Sequence, residues 1–137
     1  MRPNIEDMLI RHEGMKPMPY QDTKGIWTVG VGHNLQANPM PDNCIMELLH
    51  SDIATAVGGL NSFTWFAGLN DARQAALIDM VFNLGIAGFS KFTLTIKHFE
   101  VGDYAAASKE MLNSQWAKQV GARATELSTM IATGAWV

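Results

Sequence analysis

The chain has 137 residues, 47% of them hydrophobic, and a formal net charge of −3. That is enough apolar material for one domain with a substantial core, or for two lobes sharing one helix. It offers no large basic surface for nucleic acid and no strong long-range attraction to an anionic polymer. The only cysteine, Cys44, excludes an intrachain disulfide, which suits folding in a reducing cytoplasm. No apolar run follows the basic residue near the start, so no signal peptide is expected, and no window reaches the length of a membrane span.

In chain order, residues 4–12 read as a short helix. Asn4 is its N-cap, Glu6 and Asp7 favour the positive end of its dipole, and Arg11 and His12 the negative end. Glu13 stands where the pattern runs out, before the stop signal Gly14. Pro17 and Pro19 forbid helix and force an extended approach to Tyr20. Asp22-Thr23-Lys24-Gly25 is a turn, and Ile26 to Val31 alternates as a strand, completing a hairpin. Gly30 and Gly32 mark either a bulge or a close approach by a ligand. Residues 34–41 form a loop by composition.

Asp42 then reads as the N-cap of a helix over 43–60, with Ile45, Leu48, Leu49, Ile53, Ala56, Val57 and Leu60 as its apolar stripe. Asp52 falls on that stripe, where a charge needs a partner. Residues 62–68, with Phe63, Trp65 and Phe66, are an aromatic turn suited to core packing. Asn70 caps a helix over 71–84, apolar almost all round and therefore central, closed by Gly85. Two more helices follow near 90–100 and 104–113. Phe92, Ile96 and Phe99 supply the inner face of one, Ala105, Ser108, Met111 and Leu112 that of the other, and Asp103 is the N-cap between them. The four histidines have no metal-ligand spacing, so neither a metal nor another cofactor is expected.

The chemistry concentrates between Arg11 and His33. Two carboxylates nine residues apart, Glu13 at a helix end and Asp22 on a hairpin, can face each other as a glycosidase requires: one acid to protonate the leaving oxygen, one carboxylate to serve the opposite ring face. An isolated pair at that spacing is ordinarily two solvated surface charges. The surrounding order of residues is more specific. Glu13-Gly14, Tyr20-Gln21-Asp22-Thr23, Gly25 and Thr28-Val29-Gly30-Val31-Gly32-His33 give the pattern E-G-x5-Y-x-D-x2-G-x2-T-x-G-x-G-H. This block resembles the active-site block of the phage-type lysozymes and their endolysin relatives. The resemblance extends from about Ile5 to Trp136, interrupted where longer family members insert extra helix after residue 34.

The resemblance implies an α+β lysozyme-like fold: a β-hairpin lobe (about 13–42), a connecting helix (about 43–60) and a helical lobe (about 61–137 plus the N-terminal helix 4–12), with the active-site cleft between the lobes. By the same resemblance Glu13 is the general acid, and Asp22 and Thr28 hold the attacking water. Gly32 faces substrate, and Arg123, seven residues after Trp116, pairs with Glu13. His33 and Asp52 form a structural ion pair. Phe82 and Asn83 are either substrate contacts or, respectively, plain core and a helix-end cap. The implied activity is inverting hydrolysis of the β-1,4 bond between N-acetylmuramic acid and N-acetylglucosamine in bacterial peptidoglycan. The implied setting is an endolysin, monomeric, without stable membrane association, made in the host cytoplasm and reaching the wall through holin-type lesions. Two rivals are a lytic transglycosylase, which needs no water-positioning carboxylate, and a non-catalytic wall-binding or virion structural module.

Overall fold

The computed structural model describes residues 4–137; residues 1–3, part of the stretch read for a signal peptide, lie outside it. The fold is α+β, with seven helices and one three-stranded sheet among the described residues. The chain divides into two compact units, the first running to Glu47 and the second from Leu48 to Val137.

The first unit begins with α1 (Ile5–Glu13). Asn4 caps it as expected, its side chain accepting the backbone N–H of Asp7, and Gly14 closes it by donating to the Ile10 carbonyl. The helix reaches one residue further than the charge pattern suggests, so that Glu13 is its last residue. Three antiparallel strands follow in the order β1 (Lys16–Gln21), β2 (Trp27–Gly30) and β3 (His33–Asn34). The two prolines of β1 are tolerated because it is an edge strand, and its register with β2 shifts between Lys16 and Tyr20. The third strand departs from the simple hairpin. Two residues are too few to leave a periodic signal, yet His33 pairs with Val29 and Asn34 with Thr28.

Helix α2 (Asp42–Leu60) runs from the first unit into the second. Asp42 is its first residue rather than its cap; the Pro41 carbonyl accepts from Cys44 and Ile45 instead. The expected apolar stripe is buried only near its C-terminal end, at Ala56 and Leu60, whereas Ile45 and Leu48 are exposed. Gly59 has a packing role there. A Cβ at that position would meet Ile86 at 2.8 Å, so the missing side chain lets α2 approach closely.

The second unit is built around α3 (Asp71–Ser90), whose Ala76, Leu77, Met80 and Phe89 are fully buried. Asn70 caps it by accepting from Arg73. Gly85 interrupts the helix at φ 76°, ψ 159°, a conformation closed to other residues, and the chain then resumes helix to Ser90. The aromatic turn packs inward as expected. Phe66 is buried at the start of a short 3-10 turn (Phe66–Gly68), and Trp65 stacks on Phe99 with centroids 4.8 Å apart.

Helices α4 (Thr93–Glu100) and α5 (Tyr104–Leu112) follow, with Asp103 accepting from Ala106. Ile96 and Phe99 are buried as expected, but the inner face of α5 is Ala107, Ser108 and Met111; Ala105 and Leu112 are exposed. Two further helices close the unit, α6 (Gln115–Val120) and α7 (Ala122–Thr133), the latter burying Ala124, Leu127, Ser128, Met130 and Ile131.

Candidate active site

Glu13, Asp22, Thr28, Gly32 and His33 all belong to the first unit. Glu13 is delivered by the last turn of α1, and its carboxylate rests against the backbone of Gly32. A Cβ at Gly32 would lie 2.8 Å from Glu13 Oε2, and Gly32 has φ +63°. Glycine is therefore required there twice over, by conformation and by the space the carboxylate fills.

Asp22 and Thr28 are tied together through one residue, Ile26. Asp22 Oδ1 accepts the backbone N–H groups of Lys24 at 2.8 Å and Ile26 at 3.0 Å. The Ile26 carbonyl in turn accepts the Asp22 N–H at 2.9 Å and the Thr28 hydroxyl at 3.0 Å. The turn is closed by Gly25 N–H donating to the Asp22 carbonyl. The consequence is chemical. Oδ1 is committed to holding the carboxylate in place, while Oδ2 has no hydrogen-bond partner among the described residues. Thr28, 5% exposed, has spent its hydroxyl hydrogen on Ile26 and offers only oxygen lone pairs. Two acceptors, one on the turn and one on β2, both tied to Ile26, suit a water that must lose a proton as it attacks. Tyr20 lies directly opposite Thr28 in the ladder, on the same face of the sheet.

The His33 ring is engaged locally, its Nε2 lying 3.1 Å from the Asn38 carbonyl, which is consistent with an Nε2–H donor. Asp52, its expected partner, is an exposed residue of α2 in the second unit.

In the second unit Phe82 and Asn83 are both exposed, Phe82 at 46%, which corrects the plain-core alternative for Phe82. Asn83 is not simply a helix-end cap either: its side-chain carbonyl accepts the indole N–H of buried Trp116 at 2.9 Å, joining α3 to α6. Phe82 and Arg123 line one groove of about 430 Å³ with Leu49, Ile53, Ile78 and Asp79. Arg123 is held there by Asp79, with Nε 2.7 Å from Oδ1 and Nη2 3.4 Å from the Asp79 carbonyl. Asp79 is the residue the sequence reading missed. The signal was present, since it is the one charge in the run Ala75-Ala76-Leu77-Ile78-Asp79-Met80-Val81-Phe82, and a charge in such a run calls for a partner.

The phage lysozyme family model matches residues 10–130, which spans Glu13, the Asp22–Thr28 turn, Gly32 and Arg123. The chain belongs to the phage lysozyme family. An endolysin of Acyrthosiphon pisum secondary endosymbiont phage 1 is 33% identical, over 90% of this chain and 85% of its own length. The probable T4-type lysozyme 1 of Dictyostelium discoideum is 28% identical over 96% of this chain and 95% of its own. The pre-baseplate central spike protein Gp5 of Enterobacteria phage T4 is 29% identical over 96% of this chain, which corresponds to 28% of that longer protein. The phage-type lysozyme is a glycoside hydrolase, and its substrate is peptidoglycan.

Proposed function

We propose that this lysozyme cleaves the β-1,4 bond between N-acetylmuramic acid and N-acetylglucosamine with inversion, using Glu13 as general acid and Asp22 with Thr28 to hold the attacking water. Glu13 gives its proton to the glycosidic oxygen as the bond to the anomeric carbon breaks. Water enters from the opposite ring face, forms the new C–O bond and passes its proton to the free Oδ2 of Asp22. The observation that carries this reading is the pair of acceptors tied through Ile26, because a water is positioned by a second acceptor such as Thr28, which a carboxylate attacking directly does not need. Gly32 leaves room for the Glu13 carboxylate beside the chain that would meet substrate. Phe82 is read as a substrate contact on account of its exposure. Asn83 is read as fixing Trp116 against the turn of α3 that precedes Gly85.

The setting proposed is an endolysin acting as a monomer at the bacterial wall during host lysis. Among the described residues no single helix is long and apolar enough to cross a membrane. Passage from cytoplasm to wall through holin-type lesions is part of this proposal. The deciding experiment digests purified peptidoglycan and identifies the new chain ends. Reducing N-acetylmuramic acid termini support hydrolysis; 1,6-anhydro termini would establish a lytic transglycosylase. The similarity to a baseplate spike protein favours one second reading, a virion-borne wall module. Failure of the purified protein to release any chain ends would favour a non-catalytic form of it.

A further inference from the structure

A lysozyme of net charge −3 acts on a polymer whose stem peptides carry carboxylates, so the approach of the two is opposed unless a cation stands near the reacting atoms. The first unit supplies one. Lys16 opens β1, and its Cα is paired with Gly30, two residues before Gly32. Its side chain folds back over Gly14, the residue that follows Glu13: a Cβ at Gly14 would lie 3.4 Å from Lys16 Cε and 4.0 Å from Nζ. The ammonium thus lies near Gly14, the residue that closes α1. No carboxylate comes within 4.0 Å of it among the described residues, where the ion pair is that of Arg123 with Asp79. Lys16 is also exposed. It is an unneutralised cation over the residue that follows the general acid in the chain, and neither assigned catalytic step uses it.

We infer that Lys16 is a specificity-determining residue that binds a stem-peptide carboxylate on the muramic acid side of the scissile bond. The inference rests on the muramidase reading above and adds to it a preference: stems bearing free carboxylates over stems whose carboxylates are amidated. An exposed lysine pairing with a mobile carboxylate changes affinity by about two- to fivefold. The effect belongs in KM, because the contact is the same in the bound substrate and the transition state.

The experiment compares wild type, Lys16→Gln and Lys16→Arg on two substrates: soluble peptidoglycan fragments, and the same fragments with their carboxylates converted to methylamides. Wild type should show a KM about two- to fivefold higher on the amidated fragments, with kcat held. Lys16→Gln should show that raised KM on both substrates and so be indifferent to amidation, and Lys16→Arg should restore discrimination. Equal responses to amidation in wild type and Lys16→Gln would overturn the inference, as would a loss confined to kcat. If wild type produces no reducing N-acetylmuramic acid ends from either substrate, the muramidase reading itself falls and the inference falls with it. That outcome is distinct from an active enzyme that ignores amidation.

Discussion

The Glu13 carboxylate fills the space that a side chain on Gly32 would take, with 2.8 Å separating Glu13 Oε2 from the place of a Cβ. Gly32→Ala must therefore displace the carboxylate as well as strain a residue at φ +63°. The two effects separate in a control. Gly102 has φ +73° but nothing within 4 Å of a built Cβ, so Gly102→Ala suffers the conformational cost alone. Both variants should lose about 1 kcal/mol of stability or somewhat more in a denaturant titration. Only Gly32→Ala should also lose activity, by about one to two orders of magnitude, since a misplacement of roughly 1 Å at the reacting atoms has that effect. Equal specific activities of the two folded variants would remove the close approach from the mechanism.

Glu13→Gln keeps the size and most contacts of the side chain but cannot supply a proton. Turnover of peptidoglycan should fall by about two to four orders of magnitude, while the melting temperature stays near that of the wild type. A Gln variant clearing cell walls at close to the normal rate would show that another group protonates the leaving oxygen.

How much of this was legible in the sequence depends on the range of the signal. The helix stop at Glu13, the turn at Asp22 and the strand through Thr28 each leave marks within a few residues, while the roles expected of these residues and of Gly32 rest on the resemblance of the whole block. The caps Asn4, Asn70 and Asp103 were legible for the same reason, their side chains bonding three residues ahead. Long-range partners were not. The rule that a charge among apolar residues needs a counter-charge also covered Asp79, which holds Arg123 from 44 positions away, but it names no partner at that range. Periodicity places a residue on a helix face; it does not say whether anything packs there. The helix after Gly85 was hidden because a glycine usually ends a helix, and here the chain turns and continues.

The stereochemical outcome tests the water seat. If Asp22 and Thr28 hold a water, a single displacement at the anomeric carbon converts the β-linkage into an α-configured reducing end. Rapid quenching and chromatographic separation of the anomers, before mutarotation equalises them, should find α in excess. Initial accumulation of the β anomer would mean a covalent intermediate, and Asp22 would then be a nucleophile. Asp22→Asn should in either case cost activity of the order of two to four decades, because it removes the proton acceptor as well as the charge.

Within the second unit, the start of α3 clamps the end of α7. Arg73, in the first turn of α3, donates from Nε to the Ile131 carbonyl at 2.8 Å and from Nη2 to the Ala132 carbonyl at 3.3 Å, and its guanidinium lies 3.9 Å above the Tyr104 ring. Asn70, the cap of the same helix, donates to the Gly134 carbonyl at 2.8 Å. The N-terminal turn of α3 thus satisfies the otherwise orphaned carbonyls at the end of α7, and a cation there also suits the negative end of the α7 dipole. Arg73→Met retains the apolar stem but leaves those carbonyls unpaired, including that of buried Ile131. The loss should be about 1.5–3 kcal/mol, the range for hydrogen bonds to a charged group with a contribution from the aromatic contact. For a chain of this length that is a fall in melting temperature of roughly 5–10 °C. Specific activity of the folded fraction should be retained, because neither Arg73 nor α7's last turn carries an assigned catalytic role. Thermal denaturation followed by circular dichroism measures the first quantity and turbidity clearance at low temperature the second. A melting point unchanged by Arg73→Met would mean that water satisfies those carbonyls equally well and that the clamp contributes nothing.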